Sequence, residues 1–160
     1  MSKITPCLWF NGAAEEATRF YVSLFPNAAA IASVSRYGEG NPRFPAGTAL
    51  MVEFTLAGQP YQALNGGPEY ALTDAFSLSI SCKDAAEVDY FWNALIANGG
   101  AEGRCGWLKD RFGVSWQVVP EGLGALLSDP DRARAGRAMQ AMMAMKKLDL
   151  GAMRAAADAA

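Results

Sequence analysis

Two stretches of this chain repeat each other at an offset of 71 residues, and that repeat restricts the fold more than any single motif does. Ala14, Glu16, Phe20, Tyr21, Leu24 and Asn27 correspond to Ala85, Glu87, Phe91, Trp92, Leu95 and Asn98. Both stretches carry apolar residues at helical spacing: Ala17, Phe20, Tyr21 and Leu24 in one, Val88, Phe91, Trp92 and Leu95 in the other. Acidic residues gather in each first turn, where the helix dipole favours them, and an asparagine stands near each C-terminal end. The repeat predicts two equivalent helices.

Each helix is preceded by a strand-like segment, residues 4–10 and 76–82. In the second, Ser77, Ser79 and Ser81 alternate with Leu78, Ile80 and Cys82, the period of a half-buried strand. After the first helix, residues 30–36, 49–56 and 60–65 are rich in strand formers and bounded by Gly, Pro or Asn. After the second come residues 101–105, 107–109 and 114–119, the last two joined by the hairpin-like Asp110-Arg111-Phe112-Gly113. Each half therefore reads strand, helix, three strands. The expectation is an α+β fold of two βαβββ modules, about residues 3–68 and 75–120, in a single domain spanning 1–160. The Gly/Pro-rich loop at 38–47 has no equally long counterpart, so the offset shrinks downstream and Glu53 pairs with Gln117.

A helical tail follows, about residues 121–160. Asp129-Pro130-Asp131 signals a helix start, and residues 150–157 make a short alanine-rich helix. Between them, residues 135–147 place Met139, Met142 and Met143 along one face, which points to core or subunit interface rather than a binding groove.

Bulk properties exclude several function classes. A net charge of -2 gives no field for nucleic acid, and no apolar run approaches the roughly 20 residues needed to cross a bilayer. The first residues lack the apolar core of a signal peptide, so the expected location is cytoplasmic. Three scattered cysteines fit neither a disulfide framework nor a zinc cluster. Cys7 and Cys82 lie in apolar runs and read as small buried hydrophobes. Cys105 reads as structural, because a chain without histidine offers it no usual base.

The segments Ile4-Thr5-Pro6-Cys7-Leu8-Trp9-Phe10-Asn11-Gly12, Val52-Glu53-Phe54, Leu64-Asn65-Gly66-Gly67-Pro68-Glu69, Cys105-Gly106-Trp107 through Ser115-Trp116-Gln117, and Met139-Gln140-Ala141-Met142 resemble the PhnB-like group. That group belongs to the vicinal oxygen chelate (glyoxalase, bleomycin-resistance) superfamily, and the resemblance covers nearly the whole chain. It implies glyoxalase-like curved mixed sheets with C-terminal helices. The group often carries the name 3-demethylubiquinone-9 3-methyltransferase. Conventional methyl transfer needs a glycine-rich strand-to-helix turn, whereas Gly66-Gly67 leads into Pro68 and Gly99-Gly100 follows a helix. Metal-binding members of the superfamily use four inward side chains, and the resemblance puts those places at Pro6, Glu53, Ser77 and Gln117. Only Glu53 there is a competent ligand, so neither a metal nor another cofactor is expected.

If Ser77 faces the cavity, so do Ser79 and, by the repeat, Leu8 and Phe10. Met51 shares the face of Glu53, and Asn65 and Trp107 fall near the rim. The expected ligand-binding set is Leu8, Phe10, Met51, Asn65, Ser77, Ser79, Trp107 and Gln117. Glu53 is the candidate catalytic residue, because burial without a cation raises a carboxylate's pKa and makes it a general base. Three readings follow: metal-independent binding of a small amphipathic or aromatic molecule, a metal-independent enzyme using Glu53, or a structural dimer with a closed cavity. A homodimer is expected in each, since an open concave sheet face needs cover.

Overall fold

The computed structural model describes residues 3–159. Met1, Ser2 and Ala160, inside the expected 1–160 boundaries, lie outside the described residues. The chain divides into two compact units, Met1–Leu72 and Thr73–Ala160.

In the first unit, β1 (Cys7–Phe10) leads into α1 (Ala14–Ser23), then β2 (Ala29–Arg36), β3 (Ala49–Leu56) and β4 (Gln59–Asn65). The sheet order is β1-β4-β3-β2, with β1 parallel to β4 and the other pairs antiparallel. Ala57 and Gly58 turn β3 into β4 with φ of 47° and 81°. Two consecutive left-handed residues match the twist of a two-residue hairpin. Strand β1 begins at Cys7 rather than at residue 4; Pro6 has no N–H to give a ladder and takes part only by accepting the Gln62 N–H at 2.9 Å.

The second unit repeats the plan with β5 (Ser77–Cys82), α2 (Ala85–Ile96), β6 (Ala101–Glu102), β7 (Trp107–Lys109) and β8 (Ser115–Pro120), ordered β5-β8-β7-β6. Three tail helices follow: α3 (Leu123–Leu127), α4 (Arg132–Ala144) and α5 (Leu150–Asp158). The α+β fold of two βαβββ modules with C-terminal helices is therefore present. Helix α3 falls inside the expected helical tail, ahead of the Asp129-Pro130-Asp131 start signal. No described helix is long and apolar enough to cross a membrane.

Each helix packs on one face of its own sheet. Leu8, Phe10, Val52, Phe54 and Ala63 meet Ala14, Ala17 and Tyr21 of α1, all within 4 % of full burial. Leu78, Ile80, Trp116 and Val118 play the same part beneath Val88, Phe91, Trp92 and Leu95 of α2. At roughly 1.5–3 kcal/mol for each large side chain buried, these stripes dominate the stability of each unit. The tail has its own cluster of Leu126, Ala138, Leu148, Met153 and Ala157. Met139 and Met143 lie outside it, 42 % and 55 % exposed, so two of the three stripe methionines are not part of the core.

The register corrects the sequence alignment of the halves. Gln62 pairs with both Cys7 and Glu53, and Gln117 pairs with both Ser79 and Trp107. Strand β8 therefore occupies the place of β4, so Gln117 corresponds to Gln62, and Glu53 corresponds to Trp107 rather than to Gln117. Cys7 likewise corresponds to Ser79, one residue beyond the offset that relates the helices. The repeat slides because its loops differ in length.

Candidate functional site

One face of each sheet is covered by its helix; the other has no helix of its own unit upon it. In the first unit that open face is organised in cross-strand rows. Cys7, Gln62, Glu53 and Ser33 stand opposite one another across all four strands, and Trp9, Leu64, Met51 and Ser35 form the next row. A polar row thus lies against a largely apolar one. A depression of about 380 Å³ opens beside Glu53 and Gln62 on the side away from Met51 and Leu64, lined also by Thr5, Ala32, Thr55, Pro60 and Tyr61.

Glu53 is the centre of this row. Its Oε2 accepts from Ser33 Oγ at 2.8 Å and its Oε1 from Gln62 Nε2 at 3.3 Å. The side chain is exposed rather than buried. The Ser33 hydroxyl, then the Gln62 amide, hold its pKa below the ordinary carboxylate value. Burial was expected to raise it; the sheet instead presents the carboxylate to solvent with two donors that favour the charged form. Cys7, expected to be buried, is exposed on the same row. Cys82 is buried on the helix side, where desolvation, with help from Glu87, Asp84 and Glu121, pushes its thiol up to about 12.

Met51 does lie beside Glu53 on the open face. Leu8 and Phe10 do not: they are 1 % and 4 % exposed on the helix side. Asn65 is also on that side and fully buried. Its Oδ1 accepts from the Ala14 N–H at 3.0 Å and its Nδ2 donates to the Ala49 carbonyl at 2.9 Å, so it caps α1 and ties it to β3. Sequence reasoning missed Trp9, Gln62 and Ser33. Aligning the apolar stripe Leu8/Phe10 with Ile80/Cys82, instead of extending the helix offset, finds Trp9 at once. Its indole N–H donates to the Gly67 carbonyl at 2.8 Å, and its ring stands edge-on to Tyr70 at 5.0 Å.

In the second unit Ser79, Gln117 and Trp107 share one row of the open face. Ser77 joins them, accepting from Gln117 Nε2 at 3.0 Å. Asp74 accepts from Ser115 Oγ at 2.5 Å and pairs with Lys109 at 2.9 Å, and these contacts lower its pKa.

The donor chemistry does not fit the metal that the superfamily resemblance implies. Pro6 offers only a backbone carbonyl already bonded to Gln62, and Gln117, whose Nε2 donates to Ser77, has only a neutral carbonyl oxygen to give. Among the described residues no three of His, Cys, Asp and Glu are grouped to hold an ion.

Residues 2–119 match the family model described as 3-demethylubiquinone-9 3-methyltransferase. The chain belongs to this family. A PhnB protein of Bacillus cereus named for that methyltransferase is 37 % identical over 74 % of this chain and 99 % of its own, with a TM-score of 0.68. Protein PA1353 of Pseudomonas aeruginosa shares the fold at 23 % identity, over 76 % of this chain and 98 % of its own, with a TM-score of 0.60. A glyoxalase/bleomycin resistance protein of Albidiferax ferrireducens T118 is 15 % identical over 75 % of this chain and 99 % of its own, with a TM-score of 0.48. No curated protein matches the chain. The family match ends before α3, so the helical tail lies beyond it.

Proposed function

We propose that this PhnB-like protein binds a small amphipathic or aromatic molecule on its open sheet faces without a metal ion, and that it does so as a homodimer. The supporting observation is the pair of adjoining rows in the first unit, where Ser33, Glu53 and Gln62 lie against Trp9, Leu64 and Met51. An apolar wall with a few convergent polar groups is what a small-molecule site requires. Half-buried Trp9 and Trp107 on the open faces favour cover by a second copy.

Glu53 serves this site as an anchoring charge. A carboxylate held below its ordinary pKa is a weaker proton acceptor, which removes the physical support for a general base. Methyl transfer from a nucleotide-type donor is equally unsupported. Gly66 and Gly67 precede Pro68 and no helix opens until Ala85, while Gly99 and Gly100 follow α2.

The test is a thermal-shift screen of small metabolites and aromatic drugs on metal-stripped protein, since a ligand of the native state raises its melting temperature. Hits that stabilise the stripped protein and fail to stabilise Glu53→Gln are expected. Stabilisation that appears only after Zn, Ni, Fe or Mn is restored refutes the metal-independent reading.

A further inference from the structure

Glu53 differs from Glu15, Asp74, Glu102 and Glu69, each of which has a cation beside it. Glu15 pairs with Arg19 and Arg36, Asp74 with Lys109, and Glu102 with Lys146. Glu69, beyond the end of β4, pairs with Arg43. Glu53 has only the neutral donors Ser33 and Gln62, and among the described residues no lysine or arginine lies within ion-pair distance of it. Neutral donors fix a carboxylate's position and keep it ionised, but they leave its full charge in place. Each oxygen retains a further acceptor site.

From this we infer that the molecule bound on the open face of the Met1–Leu72 unit is an organic cation, an ammonium or guanidinium carried on an apolar body. The inference rests on the proposed binding function and names its ligand class. The charged head sits at Glu53, within hydrogen-bonding reach of the carboxylate oxygens turned away from Ser33 and Gln62. The apolar body lies over the neighbouring row of Trp9, Leu64 and Met51, which is half-buried and offers no formal charge. An anion meets repulsion at Glu53, and a neutral molecule gains only a hydrogen bond there. A divalent metal needs more anionic oxygens than this one carboxylate supplies. A neutral donor and an ammonium both hydrogen-bond the carboxylate, but only the ammonium adds the Coulomb attraction of opposite charges, so the face discriminates by charge.

The test titrates the full isotope-labelled chain with benzylammonium, benzyl alcohol and benzoate, which share one apolar body and differ in charge. Backbone amide shifts of β3 and β4 report binding. Benzylammonium is expected to bind about ten-fold more tightly than benzyl alcohol, with benzoate weakest. In Glu53→Gln the ammonium is expected to lose its advantage over the alcohol. Equal binding of ammonium and alcohol to the unaltered protein overturns the inference and leaves the binding site standing. A cation preference that survives in Glu53→Gln does the same. If none of the three probes moves the β3 and β4 amides, the inference and the site reading fall together. The comparison among probes is made on the unaltered chain, so it does not depend on how a variant folds.

Discussion

Asn65 and Glu53 show how one sheet sends a polar side chain to two different tasks. Asn65, at the end of β4, faces α1 and satisfies two backbone groups, the Ala14 N–H and the Ala49 carbonyl. Leaving a buried donor or acceptor without a partner costs about 1–3 kcal/mol each. Asn65→Leu keeps the size of the side chain and removes both bonds, so it is expected to lower unfolding stability by about 3 kcal/mol in urea titration. A loss under about 1 kcal/mol would mean that water or a shifted α1 replaces the amide. From sequence, Asn65 stood near a cavity rim. Alternation alone placed Glu53 correctly, away from Val52 and Phe54. Its partners were not legible, because Ser33 reaches it across a bulge between Ile31 and Ser33, which local pattern does not fix.

At the scale of elements, helix positions were the most legible part of the chain, and strand correspondence the least. Apolar spacing located α1 and α2, and Asn27 and Asn98 do adopt left-handed conformations just past them. The Asp129-Pro130-Asp131 signal located α4, whose first N–H groups Asp131 caps at Ala133 and Arg134. Strand correspondence depends on turn lengths, which the repeat does not conserve, and so Glu53 was matched to the wrong strand. The link between α1 and β2 also escaped, because it joins residues distant in sequence: Glu15 accepts from Arg36 at 2.8 Å and from Arg19 at 2.7 Å. These bonds, Arg36 first, lower the Glu15 pKa to about 2. A depressed carboxylate pKa adds stability above the unfolded value near 4.5, and that contribution is lost as pH falls towards about 2. Glu15→Gln is therefore expected to flatten the fall of melting temperature over that acid range and to change little of it above. An unchanged acid slope would show that the pair is too exposed to matter.

For the molecule as a whole, the tail is the part that the family match leaves out, and it is held to the second module at a few points. The Cys105 N–H donates to the Met145 carbonyl at 2.9 Å, and the Gly106 N–H to the Lys146 carbonyl at 2.7 Å. Lys146 pairs with Glu102 at 2.9 Å, and Lys147 pairs with Asp89. Between these contacts Leu148, 3 % exposed, comes down onto Gly106. Gly106 has a φ of 84°, and a Cβ there would lie 2.8 Å from Leu148 Cδ1 and 2.9 Å from the Val118 carbonyl oxygen. An alanine at this position meets both backbone strain and overpacking, each of order 1–3 kcal/mol. Leu148→Ala alone removes a buried side chain from the tail cluster and is expected to cost about 2–4 kcal/mol. If Leu148 is what Gly106 exists to accommodate, the two changes do not add, because trimming the leucine relieves part of the clash created by Gly106→Ala. The double variant should then be more stable, by about 1 kcal/mol, than the sum of the single losses predicts. Hydrogen exchange should also show α4 and α5 opening more readily in Gly106→Ala, while the amides of α2 keep their protection. Strict additivity, or equal loosening of α2, would mean that the glycine serves the β6–β7 turn alone and that the tail is held elsewhere.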